Sequence, residues 1–378
     1  MIDLIIKKYD RRLFIYLSLL AIIGTIMLYS ASWYESFLST NGTSEMLFLK
    51  NHLKRLLIGI VFLIGFLLID FRTLKHIAPY LVIFSLFLLV LTKSIYLING
   101  HSWYKPARWL SIGSLGFQTS DIARFSILIY MAYYVDKQRD KIQDFQNGLL
   151  PALAILFLIM SLIIIQPDYS TAIMIGFLGM LILFIGGAKI SQILLTCSAA
   201  LLIGIPVLLS RAYRRERVLS FFGMGDNPDI GYQAHQSLIS LGNGGLLGTG
   251  LGNSIEKNHF LPTPHTDFIF AIIGEELGFL IGTVPVLTLF LLIFFQGVKI
   301  AKNCNDPFGV FLSIGIVSNL ILYAFVNAAV VTGLLPVTGL PMPMVSYGGS
   351  GMIINMSLIG ILLNISQAKR AVGDNRWN

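Results

Sequence analysis

The sequence is short of charge, of cysteine and of zinc-type histidine spacing, and each shortage removes a class of protein. Only 12% of its 378 residues are charged and 55% are apolar, against ~25% charged in a soluble domain. A water-soluble globule is excluded. Two cysteines, Cys197 inside an apolar run and Cys304 in a short polar loop, supply neither a disulfide framework nor a cysteine metal site. The six histidines (His52, His76, His101, His235, His259 and His265) show no HExxH spacing, which removes the common zinc-hydrolase reading. Acids number 19 against 27 bases, a net charge of +8. In a membrane chain such an excess marks cytoplasmic loops, so it is read as an orientation signal and not as a nucleic-acid footprint.

What is plentiful is apolar sequence at helix length. Runs fall near 13–29, 56–69, 77–97, 120–135, 148–165, 170–187, 190–209, 267–296, 308–331 and 348–366. Lipid forces each to satisfy its own backbone, so an all-α polytopic membrane protein of about ten transmembrane helices is expected. Ten spans use roughly 200 residues, leaving no room for a separate soluble domain, and 1–378 is read as one integral membrane domain. The third run contains Lys93 and the eighth contains Glu275 and Glu276. Lys7, Lys8, Arg11 and Arg12 precede the first run and Ser30-Ala31-Ser32 follows it. That is the outline of a cleavable signal peptide, but equally of a first spanning helix, and retention is expected. No internal repeat is visible, which weakens an inverted-repeat transporter reading.

Ten spans put both termini on one side of the membrane. That side holds 15 Lys plus Arg and the other 10, so the positive-inside rule places both termini in the cytoplasm, against the pull of the Arg211 to Arg217 cluster. The loops 98–119, 210–266 and 332–347 then emerge outside. They carry the Gly, Pro, His, Asp and Trp residues that shaped sites require. The loop 210–266, between spans 7 and 8, is long enough to be functional or an ordered cap.

In Leu261-Pro262-Thr263-Pro264-His265-Thr266-Asp267-Phe268, two prolines forbid helix up to 264, so the eighth span is expected to start about Thr266 as N-cap with Asp267 in its first turn. Asp267 either complements the helix dipole or, partly desolvated at the mouth of the bundle, has the raised pKa of a general base. Glu275 lies ~80° around and ~12 Å deeper, and Glu276 is on the opposite face. Neither can pair with Asp267 on this helix, and helix–helix hydrogen bonding is favoured for Glu276. Ser120 is a candidate cap for the fourth span, with Asp121 and Arg124 at ion-pair spacing. That pair is either self-neutralised structure or a site where the guanidinium fork holds a phosphate. Asp168, after Pro167, reads from local chemistry as a turn residue; as a third outer acid it joins the substrate-contact candidates. Gly242, Gly244, Gly245, Gly248, Gly250 and Gly252 match no nucleotide motif and suit tight turns, with amides free to face an anion. The uncharged stretch from Thr332 to Gly351 is too apolar for a watery loop and is expected to dip back among the helices as a re-entrant wall.

Together these segments resemble the SEDS family (shape, elongation, division and sporulation proteins), over nearly the whole chain from Tyr29 to Ser350. HTDFIFA with Glu275-Glu276-Leu277-Gly278, LLPVTGLP and SYGGSG carry the resemblance. Gly231-Tyr232-Gln233, Gln236-Ser237-Leu238, Gly250-Leu251-Gly252-Asn253-Ser254 and Ile272-Ile273-Gly274 favour its FtsW cell-division branch over the RodA elongation branch. The resemblance implies a peptidoglycan glycosyltransferase that polymerises lipid II at the outer face of the cytoplasmic membrane, with a class B penicillin-binding protein as transpeptidase and other division proteins as partners. It implies that Asp267 is the essential acid. The family's Glu and Lys at the outer end of the fourth span fall on Asp121 and Arg124, and Tyr323 stands where a glutamine often precedes Asn327. Arg108, Asp121, Arg124, Asp168, Lys257, His265, Glu275, Ser346, Gly349 and Ser350 are the substrate-contact candidates. The donor sugar is α-linked to lipid pyrophosphate and the product is β-1,4-linked, so displacement inverts and needs one base on the acceptor hydroxyl. The leaving pyrophosphate needs positive charge, from Arg108, Arg124, Lys257 or a divalent cation; the sequence does not choose among them and demands no cofactor. A lipid II flippase and a non-catalytic division scaffold are the readings to be distinguished from it.

Overall fold

The computed structural model describes residues 9–100, 107–112, 115–210, 212–225, 228–258 and 260–368. The basic tail through Lys8, the carboxyl-terminal Lys369, Arg370 and Arg376, and Lys105, Arg211, His101 and His259 lie outside them. Helices occupy all ten apolar runs: α1 (Arg11–Ser39), α2 (Leu47–Leu68), α3 (Thr73–Ile98), α4 (Thr119–Lys137), α5 (Leu150–Ile165), α6 (Tyr169–Ile185) and α7 (Ile190–Leu209), then, beyond the long loop, α10 (Ile269–Gly278) continuing into α11 (Val284–Lys302), α12 (Pro307–Val331) and α13 (Ser350–Gln367). Among the described residues eight helices are long and apolar enough to cross a membrane. α6 is apolar but shorter, and α4 carries Asp121, Arg124, Asp136 and Lys137. α4 is enclosed by its neighbours, with nearly every side chain from Ala123 to Val135 buried, which is how a helix bearing an internal acid and base fits an apolar bundle.

Local chemistry sets the helix ends. Asp10 caps α1 by accepting from Leu13 N at 3.0 Å, and Asp306 caps α12 by accepting from Phe308 N at 3.1 Å with Pro307 at the first helical position. Asp306 also takes Lys75 Nζ at 2.9 Å, and the same ammonium reaches Asp136 at 2.9 Å, tying α3, α4 and α12 together at one end of the bundle.

At the opposite end the structure adds to the sequence reading in three places. Residues 98–119, expected as loop, contain an antiparallel ribbon of β1 (Trp109–Ile112) and β2 (Leu115–Gln118), with Trp109 opposite Gln118. The long loop contains two further helices, α8 (Ala212–Phe221) and α9 (Pro228–Gly244), so it is an ordered cap. The eighth run is interrupted: Gly278 adopts φ +75° and a π-helical turn, Phe279–Thr283, joins α10 to α11. The carbonyls freed by that break accept from the loop, Thr249 N to Glu275 O and Gly250 N to Glu276 O, both at 2.9 Å. In return Phe279 N donates to Gly245 O at 2.9 Å and Leu280 N to Leu246 O at 3.0 Å. The buried groups of a broken helix are thus satisfied by glycine-rich backbone that can approach closely.

The stretch 332–349 is non-helical; Leu340 and Met342 to Ser346 are buried while Thr332, Leu334, Leu335 and Gly339 are exposed, so the wall expected of the whole stretch is confined to its second half. Gly24 of α1 makes room for it: a Cβ there would lie 2.5 Å from Met344 O.

Candidate active site

Asp267 sits where the long loop meets α10. Helix begins at Ile269 and not at Thr266. The reason lies in two hydrogen bonds: Thr266 Oγ1 donates back to Thr263 O at 3.1 Å, and the Asp267 carbonyl accepts from Asn327 Nδ2 of α12 at 2.7 Å. The same amide donates to Leu340 O at 2.8 Å. One buried side chain therefore pins Asp267 to the re-entrant wall, where Gly339 is so close that a Cβ would stand 3.4 Å from the carboxylate Oδ2.

Asp267 faces a cavity of about 300 Å³ that Arg108, Asp121, Arg124, Asp168, Ser346 and Gly349 also line, together with Trp109, Gln118, Tyr323 and Asn355. Burial pushes the Asp267 carboxyl above its ordinary value of 3.8, opposed by the nearby charges of Arg217, His265 and Arg108. A carboxyl so placed ionises later than a surface aspartate and, once ionised, is the stronger base.

The opposite wall is built from the first turn of α4. Arg124 Nη2 meets Asp121 Oδ1 at 3.1 Å and its guanidinium lies 4.5 Å over the Tyr323 ring, while Ser350 Oγ donates to Asp121 Oδ2 at 2.7 Å. Ser350 Oγ also accepts from Gln118 N at 2.8 Å, joining the ribbon to α13. Asp168 is 4% exposed; it takes Gln118 Nε2 at 2.8 Å and Ser120 Oγ at 3.1 Å, and Arg108 Nη1 stands 3.8 Å away. Arg108 further donates to Pro167 O. Trp109 lies against Gly349, whose Cβ would come within 2.9 Å of its ring.

His265 borders the cavity from behind. Its Nδ1 is 3.0 Å from Glu35 Oε2 of α1, its ring lies tilted at 4.5 Å from the Phe48 ring, and its carbonyl accepts from Tyr347 N at 2.9 Å. Ser346 Oγ turns inward to accept from Met342 N at 2.8 Å. Lys257 and Glu275 are set apart from the cavity. Lys257 Nζ is 2.6 Å from Glu276 Oε1, and Glu275 accepts from Ser240 Oγ at 2.9 Å, Ser254 Oγ at 2.6 Å and Ile255 N at 2.9 Å. Glu276 also accepts from Ser30 Oγ of α1 at 2.7 Å, the inter-helix bond expected of it.

Sequence reasoning missed three contributors. Arg217 of α8, counted earlier only as loop charge, bears on Asp267 and donates to Val337 O at 3.2 Å; the Arg214, Arg217 spacing along one helix face was the available signal. Asn327 and Glu35 join Asp267 and His265 only through tertiary contacts. Among the described residues no three His, Cys, Asp or Glu side chains converge as a metal-binding group.

The fold and cavity define a multi-pass membrane protein with a charged, partly buried pocket at one end of its helix bundle. The model of the FtsW/RodA/SpoVE family of cell cycle proteins matches residues 10–371. The probable peptidoglycan glycosyltransferase FtsW of Geobacter sulfurreducens is 36% identical over 364 residues, 96% of each chain. Stage V sporulation protein E of Bacillus subtilis is 34% identical over 96% of this chain and 98% of its own. A chain of a solved peptidoglycan synthase complex superposes with a TM-score of 0.76 at 24% identity, covering 95% of this chain and 97% of that one. The crystal structure of Thermus thermophilus RodA gives 0.69 at 22%, covering 96% and 98%. The chain belongs to the FtsW/RodA/SpoVE family, the SEDS proteins.

Proposed function

We propose that this chain is a peptidoglycan glycosyltransferase that polymerises lipid II at the outer face of the cytoplasmic membrane during septal wall synthesis. The observation that carries the proposal is a desolvated carboxylate, Asp267, facing a charged cavity whose two other carboxylates are engaged by neighbours, Asp121 by Arg124 and Ser350 and Asp168 by Gln118 and Ser120. Inversion at the donor carbon asks for one base on the acceptor hydroxyl and no carboxylate nucleophile, and an aspartate with a raised pKa meets that need. As the acceptor 4-hydroxyl attacks, its proton passes to Asp267 and the donor C1–O bond to pyrophosphate breaks.

The departing pyrophosphate gains charge and needs a cation. Arg124 is occupied by Asp121 and Lys257 by Glu276. Arg108, half-exposed on the cavity wall and looser on Asp168, is the group we assign to it. Asp121, Ser350 and Arg124 shape the facing wall. Ten spans with both termini in the cytoplasm put this end of the bundle outside, where lipid-linked precursors present their sugars. A class B penicillin-binding protein is the transpeptidase partner, alongside other division proteins.

The test is reconstitution of the purified protein and its transpeptidase partner with lipid II, with glycan strands resolved by electrophoresis. Strands are expected. Labelled lipid II crossing sealed vesicles without strand formation would make the protein a carrier, and neither result would leave a scaffold. For the branch, depletion is expected to give filaments; rounded cells would assign the protein to elongation.

A further inference from the structure

Glu276 and Lys257 are a buried acid and base that the reaction above does not use. Their side chains are 0% and 1% exposed, and an ion pair that deep repays its desolvation only with good geometry and further hydrogen bonds. Both are present. Lys257 Nζ reaches Glu276 Oε1 at 2.6 Å, Gly252 O at 2.7 Å and Ser30 Oγ at 3.2 Å, using its three donors, while Ser30 Oγ donates to the carboxylate at 2.7 Å. Three segments distant in sequence meet there: α1, the last part of the long loop and α10.

Their place along the chain gives the pair its consequence. Asp267 lies about midway between residues 257 and 276, so the ion pair closes that stretch into a loop with the aspartate near its far point. At the loop's entry Leu261 N donates to Glu256 O at 2.8 Å, Leu261 and His265 are buried, and Tyr347 N donates to His265 O at 2.9 Å. The entering strand is fixed at Lys257 and the leaving helix at Glu276, and Ser30 anchors both to α1. We propose that Lys257, Glu276 and Ser30 are positioning residues, a buried clamp that holds the Asp267 loop in register with the cavity. The proposal rests on Asp267 as the base.

The test uses the full-length protein with its transpeptidase partner. Lys257→Met is expected to lower kcat about tenfold or more while KM for lipid II stays within about twofold, because misplacing the base costs rate and not ground-state binding. Amide hydrogen exchange across residues 260–268 should quicken about tenfold. Lys257→Arg, which keeps the charge and its three acceptors, should recover most of kcat. Should Lys257→Met fail to fold, the double replacement Lys257→Met with Glu276→Met decides, since it leaves no unpaired buried charge; it should fold, stay slow and exchange fast. A folded double variant with wild-type kcat and wild-type exchange would overturn the clamp, as would a raised KM at unchanged kcat. Wild-type protein that makes no glycan would sink the polymerase reading instead, and the exchange measurement, which needs no activity, would still judge the clamp.

Discussion

Replacing Asn327 by alanine removes the side chain that ties the Asp267 backbone carbonyl to the re-entrant wall. Asn327 is 1% exposed, and its amide serves the carbonyls of Asp267 at 2.7 Å and Leu340 at 2.8 Å. Each buried carbonyl left without a donor costs ~1–3 kcal/mol, so Asn327→Ala should lower stability by roughly 2–6 kcal/mol. The kinetic effect is separate. With its carbonyl released, the Asp267 peptide can join the first turn of α10, turning the carboxylate away from the cavity; a 1 Å displacement of a reacting group costs ~100-fold in rate. Melting of the detergent-solubilised protein reports the first effect and kcat with lipid II the second. An alanine variant with wild-type melting and wild-type kcat would refute the claim that Asn327 fixes the base. Asn327→Asp should be at least as damaging, since a carboxylate offers neither carbonyl a donor.

Because the folded-state pKa of Asp267 is raised above 3.8 by burial, the folded protein binds more protons than the unfolded chain between that value and the raised one. Stability should therefore fall as pH rises through that window, and Asp267→Asn should be more stable than wild type at neutral pH in thermal melts. By the same shift, the acidic limb of the kcat profile should lie above the usual carboxylate range. Gly278→Ala should be destabilising by at least ~2 kcal/mol, because φ is +75° and the new Cβ would lie 2.3 Å from Gly248 N, a backbone atom that cannot step aside; loss of folded yield and a lower melting temperature would show it.

The bundle was legible because lipid imposes long apolar runs, and the grouping of Asp267, Asp121, Arg124 and Asp168 at one end was legible because crossings can be counted. What a single segment could not reveal was who meets whom. Asp168 read as a turn residue, since its partners Gln118 and Ser120 come from the far side of a hairpin of helices. Lys257 read as one cation among three for a leaving group, since only the path of the long loop brings it to Glu276. The ribbon at 109–118 is too short for its alternation to stand out from a loop. The break at Gly278 had a signal, Gly278 and Gly282 inside an apolar run, but its purpose appears only with the loop backbone that fills it.

The most direct measurement is glycan synthesis from lipid II by purified Asp267→Asn beside wild type, each with the transpeptidase partner. Loss of a general base costs ~10²–10⁴-fold in rate, so strands from the variant should fall at least ~100-fold while its fold, judged by melting, is retained. Undiminished strand synthesis by a folded Asp267→Asn protein would contradict the account.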